Sequence, residues 1–385
     1  MVVRFDEELL KDPVCAYARL RAEGPVHRAE APDGSAVWLV TGYDDVRAGL
    51  ADPRLSLDKA HSATGYRGLA LPPALDRNLL NLDAPEHTRL RRILGRAFTP
   101  RRVAALRPVV EDIAGSLADA VTGEDLLAEF CVPLPIRVIC ELLGVPPADV
   151  TEFRSWTDAV LVPADPGRAR SAMGSLYAFL TSLAAAKRAS PGEDLLSVVA
   201  DSLSADEMLS AAFLLLLAGY ENVVHVLGNG LAELLSRGLA PTSSTVDEMV
   251  RHASPLQLAI RRFTREDVEI GGTTIPAGET VMLAVAAAHR DPSVFPDADV
   301  FDPSRAENPH VGFGFGPHFC LGAPLARLEL EVGLGALFSR YPAMALAVPY
   351  AELEWRSAFR SRSLRALPVR LSGRFPQSGT VGGGG

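Results

Sequence analysis

Cysteine is scarce in this sequence. The four residues, Cys15, Cys131, Cys140 and Cys320 among 385, form no close C-x-x-C pair, which argues against zinc and iron–sulfur sites. Their sparsity suits a reducing cytoplasm better than a disulfide scaffold. Lysine is scarcer still, confined to Lys11, Lys59 and Lys187. Arginine carries the rest of the positive charge, a compositional hint of a GC-rich bacterial genome. There is no basic excess: the net charge of −9 argues against nucleic acid as a partner. Nor is there an apolar run long enough for a membrane. The longest, Ala211 to Gly219, is soon followed by Glu221, whereas a span needs about 20 apolar residues. No charged–apolar–cleavage signal opens the chain, and Asp6, Glu7 and Glu8 come early. The expectation is a cytoplasmic protein without a membrane anchor. With 48% hydrophobic and 22% charged residues, there is ample material for a large core.

Against this background one stretch stands out: Phe313-Gly314-Phe315-Gly316-Pro317-His318-Phe319-Cys320-Leu321-Gly322. Glycine and proline exclude regular structure and allow a tight, rigid loop. A helix is predicted to follow, from about Pro324 to Phe338. A cysteine at the mouth of a helix has its thiolate favoured by free N–H groups and the helix dipole, so the sulfur is prepared to hold a metal. A buried structural cysteine is the alternative. The pattern Phe-Gly-x-Gly-x-His-x-Cys-x-Gly resembles the haem-binding loop of the cytochrome P450 family. The resemblance runs from about Val37 to Arg370 and implies a mainly α fold with small β-sheets, a long helix over the haem and the cysteine loop beneath. It implies one haem domain, residues 1–372. The Gly/Ser/Pro-rich tail, 373–385, reads as disordered. By resemblance Cys320 is the thiolate ligand of haem iron, His318 reaches a propionate, and Phe313, Gly314 and Gly322 shape the cradle of a haem b.

The segment from Asp83 to Arg92 opens a helix. His87 and Arg91, four apart, share one face, and the family places that pair on the propionates. A solvated basic helix is the reading the segment alone would favour. Arg89, Arg92 and Arg96 lie on the opposite face, a candidate docking patch for an acidic redox protein. Residues 54–80 lack periodicity and match the family's pocket lid. The break at 163–167 separates two helices and matches the helix–loop–helix that closes the pocket in the family; Trp156, Val160 and Leu161 there are candidate substrate contacts, with core packing the alternative.

Ser204-Ala205-Asp206-Glu207 is a capping box for a helix running to about Ser236. Inside it Ala218-Gly219-Tyr220-Glu221-Asn222-Val223 resembles the family pattern Ala-Gly-x-Glu/Asp-Thr-Thr over the haem. Ala218 and Asn222 share the haem side with Leu215 or Leu214, and Gly219 permits a local distortion. Glu221 and Asn222 are the catalytic candidates, but Asn222 replaces the family's threonine and lacks its rotatable hydroxyl. Glu248 and Arg251 are spaced as a surface ion pair or, in the family, as a buried pair that pins the later meander. Arg261 matches the family's third propionate residue, with Arg262 adjacent as the other candidate. Leu258, Ile260 and Phe359, with Leu215, are candidate substrate contacts.

The resemblance implies a haem-thiolate monooxygenase that hydroxylates or epoxidises a small lipophilic secondary metabolite, as in bacterial antibiotic biosynthesis. It uses O₂ and electrons from a ferredoxin and its reductase. The missing threonine raises a second reading, oxidation without oxygen insertion, as in oxidative coupling or ring closure. A non-catalytic haem sensor is the third.

Overall fold

The computed structural model describes residues 2–66, 72–161 and 165–372. The expected disordered tail, part of the unpatterned 54–80 segment and residues 162–164 of the expected break lie outside the described residues. Among the described residues the fold is mainly helical, with one mixed six-stranded sheet and three two-stranded ones.

The organising element is the helix Ala205–Arg237. Both sides of its capping box form: the Ser204 side chain accepts from the Glu207 amide, and the Glu207 carboxylate accepts from the Ser204 amide at 2.8 Å. It ends at Gly238, whose φ of 62° is left-handed, a conformation in which glycine pays no Cβ penalty. At 33 residues it is about 50 Å long. Among the described residues it alone is long and apolar enough to cross a membrane by composition, yet 61% of its most apolar stretch is buried inside the protein. It is the core of the helical layer, packed against Pro133–Leu143 and Ala323–Arg340. Gly219 does not break it; a Cβ there would stand 3.3 Å from Ile139, so this glycine permits close helix packing rather than a distortion.

The six-stranded sheet runs in the order Val3–Arg4, Val26–Glu30, Ala36–Val40, Thr280–Leu283, Arg262–Thr264 and Leu55–Ser56. The strands Ala36–Val40 and Thr280–Leu283 are parallel neighbours, Trp38 opposite Val281. The first two strands of this sheet carry little signal in the sequence. They are short, and the second alternates only weakly in burial, so periodicity had little to report there. The Val268–Ile270 and Thr273–Ile275 pair forms across Gly271-Gly272, and Trp355–Ser357 pairs with Arg362–Leu364.

The meander before the cysteine loop is held from within. Arg251 is fully buried and bidentate to Glu248, at 2.6 and 2.8 Å. It also donates to the carbonyls of His289, Ala298 and Val300. Glu248 in turn accepts from the Asp302 amide and from Asn308. The pair is therefore the buried brace, not a surface ion pair.

Candidate active site

The cysteine loop is set by three backbone hydrogen bonds. The Cys320 amide donates to Phe313 at 2.7 Å, Gly314 to Val311 at 2.9 Å and Phe319 to Gly316 at 3.0 Å. Gly316 has a φ of 74°, and a Cβ there would lie 2.9 Å from the Ala51 backbone, so both conformation and space require glycine. Gly314 is left-handed as well, at 76°. The Phe313 ring lies under the Arg327 guanidinium, 4.5 Å from its centroid, and Arg327 is held by Asp247 at 2.8 Å.

Cys320 stands just before Gly322, which caps the helix Ala323–Arg340. Its sulfur is reachable by solvent although protein encloses it on most sides, the condition of a group at the floor of a recess. Burial pushes the thiol above its ordinary pKa, against the backbone amides of Gly322 and Ala323 and the charges of Arg91 and Arg327. The helix mouth thus acts in the expected direction, but desolvation outweighs it. The free thiol is protonated, and a metal that binds it must displace the proton. Cys131 and Cys140 are buried among apolar residues, and Cys15 is exposed with its own amide on Asp12.

To one side of the thiol stands a group of nitrogen-bearing side chains. His87 and His318 face each other with ring centroids 3.9 Å apart. His87 Nε2 is buried without a hydrogen-bond partner. Burial, with Arg91 nearby, lowers the His87 pKa; burial, with His87 and Arg262 nearby, brings His318 down to about 3. Both rings are neutral at pH 7, so the positive charge of the group belongs to two arginines. Arg91 donates to the Phe319 carbonyl within the cysteine loop. Arg262 is buried, its pKa lowered to about 10 by desolvation; it donates to the Leu50 and Leu55 carbonyls, and its Nε has no partner. An unpartnered buried donor is costly, and this group can receive acidic oxygens.

Arg261 does not join it. Its guanidinium pairs with Asp33 at 2.9 Å and lies near the Tyr66 and Phe359 rings. Successive side chains of an extended chain point to opposite sides, so a one-residue choice sends one arginine inward and the other to Asp33. Two expected substrate contacts move as well. Leu258, 1% exposed, packs in the N-terminal cluster with Phe5 and Tyr17. Phe359 stands edge-on to Phe5 at 4.6 Å. Both serve the packing of a segment whose position the sequence pattern did not show. Leu215 and Ile260 are half-buried. One member of the expected basic docking patch is paired, Arg89 with Glu207, while Arg92 and Arg96, the latter donating to Ser202, are exposed.

Above the thiol's side of the molecule the central helix changes character. Ala218 is exposed although the residues around it on the helix are buried or half-buried. Asn222 donates its amide to the Ala218 carbonyl at 3.2 Å. Glu221 is half-exposed, its carboxyl pushed up by burial against the pull of Arg356 and Arg360. One turn on, His225 Nδ1 is 4.0 Å from Glu221 Oε1 and brought down to about 4 by burial. Both border a cavity of about 170 Å³ with Arg356, Asp125 and Arg365.

A lone thiol at a helix mouth, an anion-receiving group beside it and a small residue opened on an otherwise buried helix form the layout of a protein that holds a prosthetic group through sulfur. Residues 239–345 match the profile of the family described as Cytochrome P450. Over 94% of its length the chain is 44% identical to the cytochrome P450 monooxygenase PikC of Streptomyces venezuelae, covering 92% of that protein. It is 41% identical to the 6-deoxyerythronolide B hydroxylase of Saccharopolyspora erythraea, over 93% of this chain and 95% of that one. The solved structure of the ligand-free P450 monooxygenase TamI superposes with a TM-score of 0.89 at 41% identity, covering 97% of this chain and 94% of that one. The chain belongs to the cytochrome P450 family. It is a monooxygenase, and membership implies a haem-iron cofactor, O₂, a lipophilic substrate and a redox partner.

Proposed function

We propose that residues 1–372 form a single haem domain in which Cys320 would hold the iron of haem b through its sulfur, and that it hydroxylates or epoxidises a lipophilic secondary metabolite in the bacterial cytoplasm. Electrons come from a ferredoxin and its reductase. The observation that carries this reading is the recessed Cys320 thiol beside His87, Arg91, Arg262 and His318. Two guanidiniums match the two propionates in charge, and the unpartnered nitrogens of His87 and Arg262 match them in hydrogen bonding. When bound, haem supplies the activation of O₂ for substrate oxidation, and a thiolate ligand favours O–O cleavage. The residues of the chain do the rest. Phe313, Gly314 and Gly322 shape the loop around the sulfur. Ala218 leaves room on the opposite side. Glu221, its carboxyl pKa raised by burial, stands beside Asn222 and can exchange a proton with His225 and the water of the adjoining cavity.

The relative from Saccharopolyspora erythraea is named as a hydroxylase of 6-deoxyerythronolide B, which supports oxygen insertion into a secondary metabolite here. Asn222 supports a second reading. Its amide is engaged with Ala218 and it has no hydroxyl, so proton delivery falls to water or to a substrate hydroxyl; failing both, oxidation without oxygen insertion follows. Turnover of candidate metabolites with a ferredoxin and reductase under ¹⁸O₂ tests the proposal. Label in the product supports insertion, and unlabelled oxidised product supports coupling or ring closure.

A further inference from the structure

Glu221 and His225 are four residues apart on the central helix, so one turn brings their side chains to the same face. His225 Nδ1 stands 4.0 Å from Glu221 Oε1. Neither side chain forms a hydrogen bond among the described residues. The separation is about 1 Å longer than a hydrogen bond, and no other partner holds the carboxyl back from closing it. The imidazole side chain is 14% exposed and the carboxylate 46%, so the more mobile member of the pair is the acid.

Both residues border the same cavity of about 170 Å³. A water needs only about 10–15 Å³ of such volume, so the cavity has room for several. Two of its other polar groups are committed elsewhere. Asp125 accepts from the Leu127 and Leu367 amides at 3.0 and 2.8 Å, and the Tyr220 hydroxyl donates to Asp158 at 3.2 Å. Arg356 and Arg365 complete the charged lining but hold their protons at neutral pH. The groups left free to exchange a proton with cavity water are therefore Glu221 and His225. Burial raises the Glu221 pKa against the pull of Arg356 and Arg360, and burial with Arg356 brings His225 down to about 4. The same enclosure thus draws the proton affinities of a neighbouring acid and base toward each other, which favours transfer between them in either direction.

We propose that His225 is the positioning residue through which water in this cavity protonates Glu221, making the cavity the proton entry of the enzyme. This deepens the monooxygenase reading above and rests on it. In the step, the neutral ring carries its hydrogen on Nδ1, toward Glu221. The Nδ1–H bond breaks as the proton passes to the Glu221 carboxylate, and an Nε2–H bond forms with a proton from cavity water. The hydroxide left behind is neutralised by a proton from bulk solvent, so the net change is one solvent proton on Glu221. The ring resets when Nε2 returns its proton to the cavity water and Nδ1 takes another. An imidazole suits the task because its two nitrogens can face different partners and exchange roles.

The test is a light-triggered pH jump on the haem-loaded protein, with time-resolved infrared detection of the Glu221 carboxyl, identified as the C=O band that Glu221→Gln removes. His225→Gln keeps a polar side chain that cannot relay a proton, and should slow protonation of that band about tenfold or more. His225→Glu, which titrates, should recover most of the rate, as replacement of a merely packed ring would not. Ala128 borders the cavity and is exposed, so Ala128→Trp narrows the solvent entry with both relay groups intact and should also slow the step. Protonation at the unaltered rate in His225→Gln overturns the proposal; if that variant fails to load haem, the same result in Ala128→Trp overturns it. A slow rate that His225→Glu does not recover makes His225 a packing residue and overturns it too, as does a Glu221→Gln spectrum that loses no band. The carbon-monoxide difference spectrum of the same preparations separates the two levels: a normal thiolate-haem band with an unaltered protonation rate rejects the relay alone, whereas an absent band rejects the haem-thiolate reading beneath it.

Discussion

Asn222 donates its side-chain amide to the carbonyl of Ala218, 3.2 Å away and one turn back on the central helix. The bond satisfies a carbonyl on the opened side of the helix and leaves the Asn222 amide oxygen and its second N–H to face a ligand or water. A side chain so engaged orders its surroundings but does not pass protons.

Asn222→Ala should therefore retain product formation within about tenfold, a loss of at most ~1.4 kcal/mol in barrier. Asn222→Thr should mainly change the split between product and released peroxide, because a hydroxyl orders water differently. Product and peroxide per reduced nicotinamide consumed are the quantities to measure. A thousandfold loss in Asn222→Ala, with haem and substrate binding intact, would show the amide to be essential.

Arg261 and Arg262 separate by the side of the strand they occupy. Arg262→Leu should weaken haem retention, as should Arg91→Leu, because a propionate loses its guanidinium. Arg261→Leu should leave haem in place, since its partner is Asp33. The rate of haem transfer to an excess of apomyoglobin reports retention. Equal rates for the two variants at 261 and 262 would return the assignment to Arg261.

Those neighbours show how far the sequence reaches. The loop from Phe313 to Gly322 was legible because each position has a stereochemical reason: left-handed glycines, a close approach to Ala51, a thiol at a helix mouth. The central helix was legible from its capping box and its unbroken apolar stretch, and the brace of Glu248 and Arg251 from spacing ahead of the cysteine. Arg261 against Arg262 was not, because a one-residue register in a three-residue strand is decided by the neighbours, Leu50 and Leu55, and not by local pattern. Leu258 and Phe359 were misplaced for a related reason: the N-terminal segment they pack on, Phe5 and Tyr17 among it, is too weakly patterned to announce itself. The burial that raises the Cys320 pKa depends on the whole recess, which no local motif encodes.

The brace makes its own prediction. Arg251→Leu would leave buried Glu248 with only Arg305, 3.6 Å away, as a charge partner, would leave the His289 carbonyl unpaired, and would leave those of Ala298 and Val300 to Arg290 and Arg305 at 3.2 and 3.4 Å. Removing one member of a buried pair costs about 3–5 kcal/mol. Urea unfolding should show a loss of that size, accompanied by poorer haem incorporation as the meander before the cysteine loop loosens. A loss below about 1 kcal/mol would mean the pair behaves as an exposed one.

The central claim is that Cys320 is the sulfur on haem iron, and the reduced carbon-monoxide difference spectrum tests it most directly. The unaltered protein should show the far-red-shifted Soret band of thiolate-ligated haem; Cys15→Ala, Cys131→Ala and Cys140→Ala should keep it, and Cys320→His should lose it while still binding haem. Persistence of the band in Cys320→His would contradict the account.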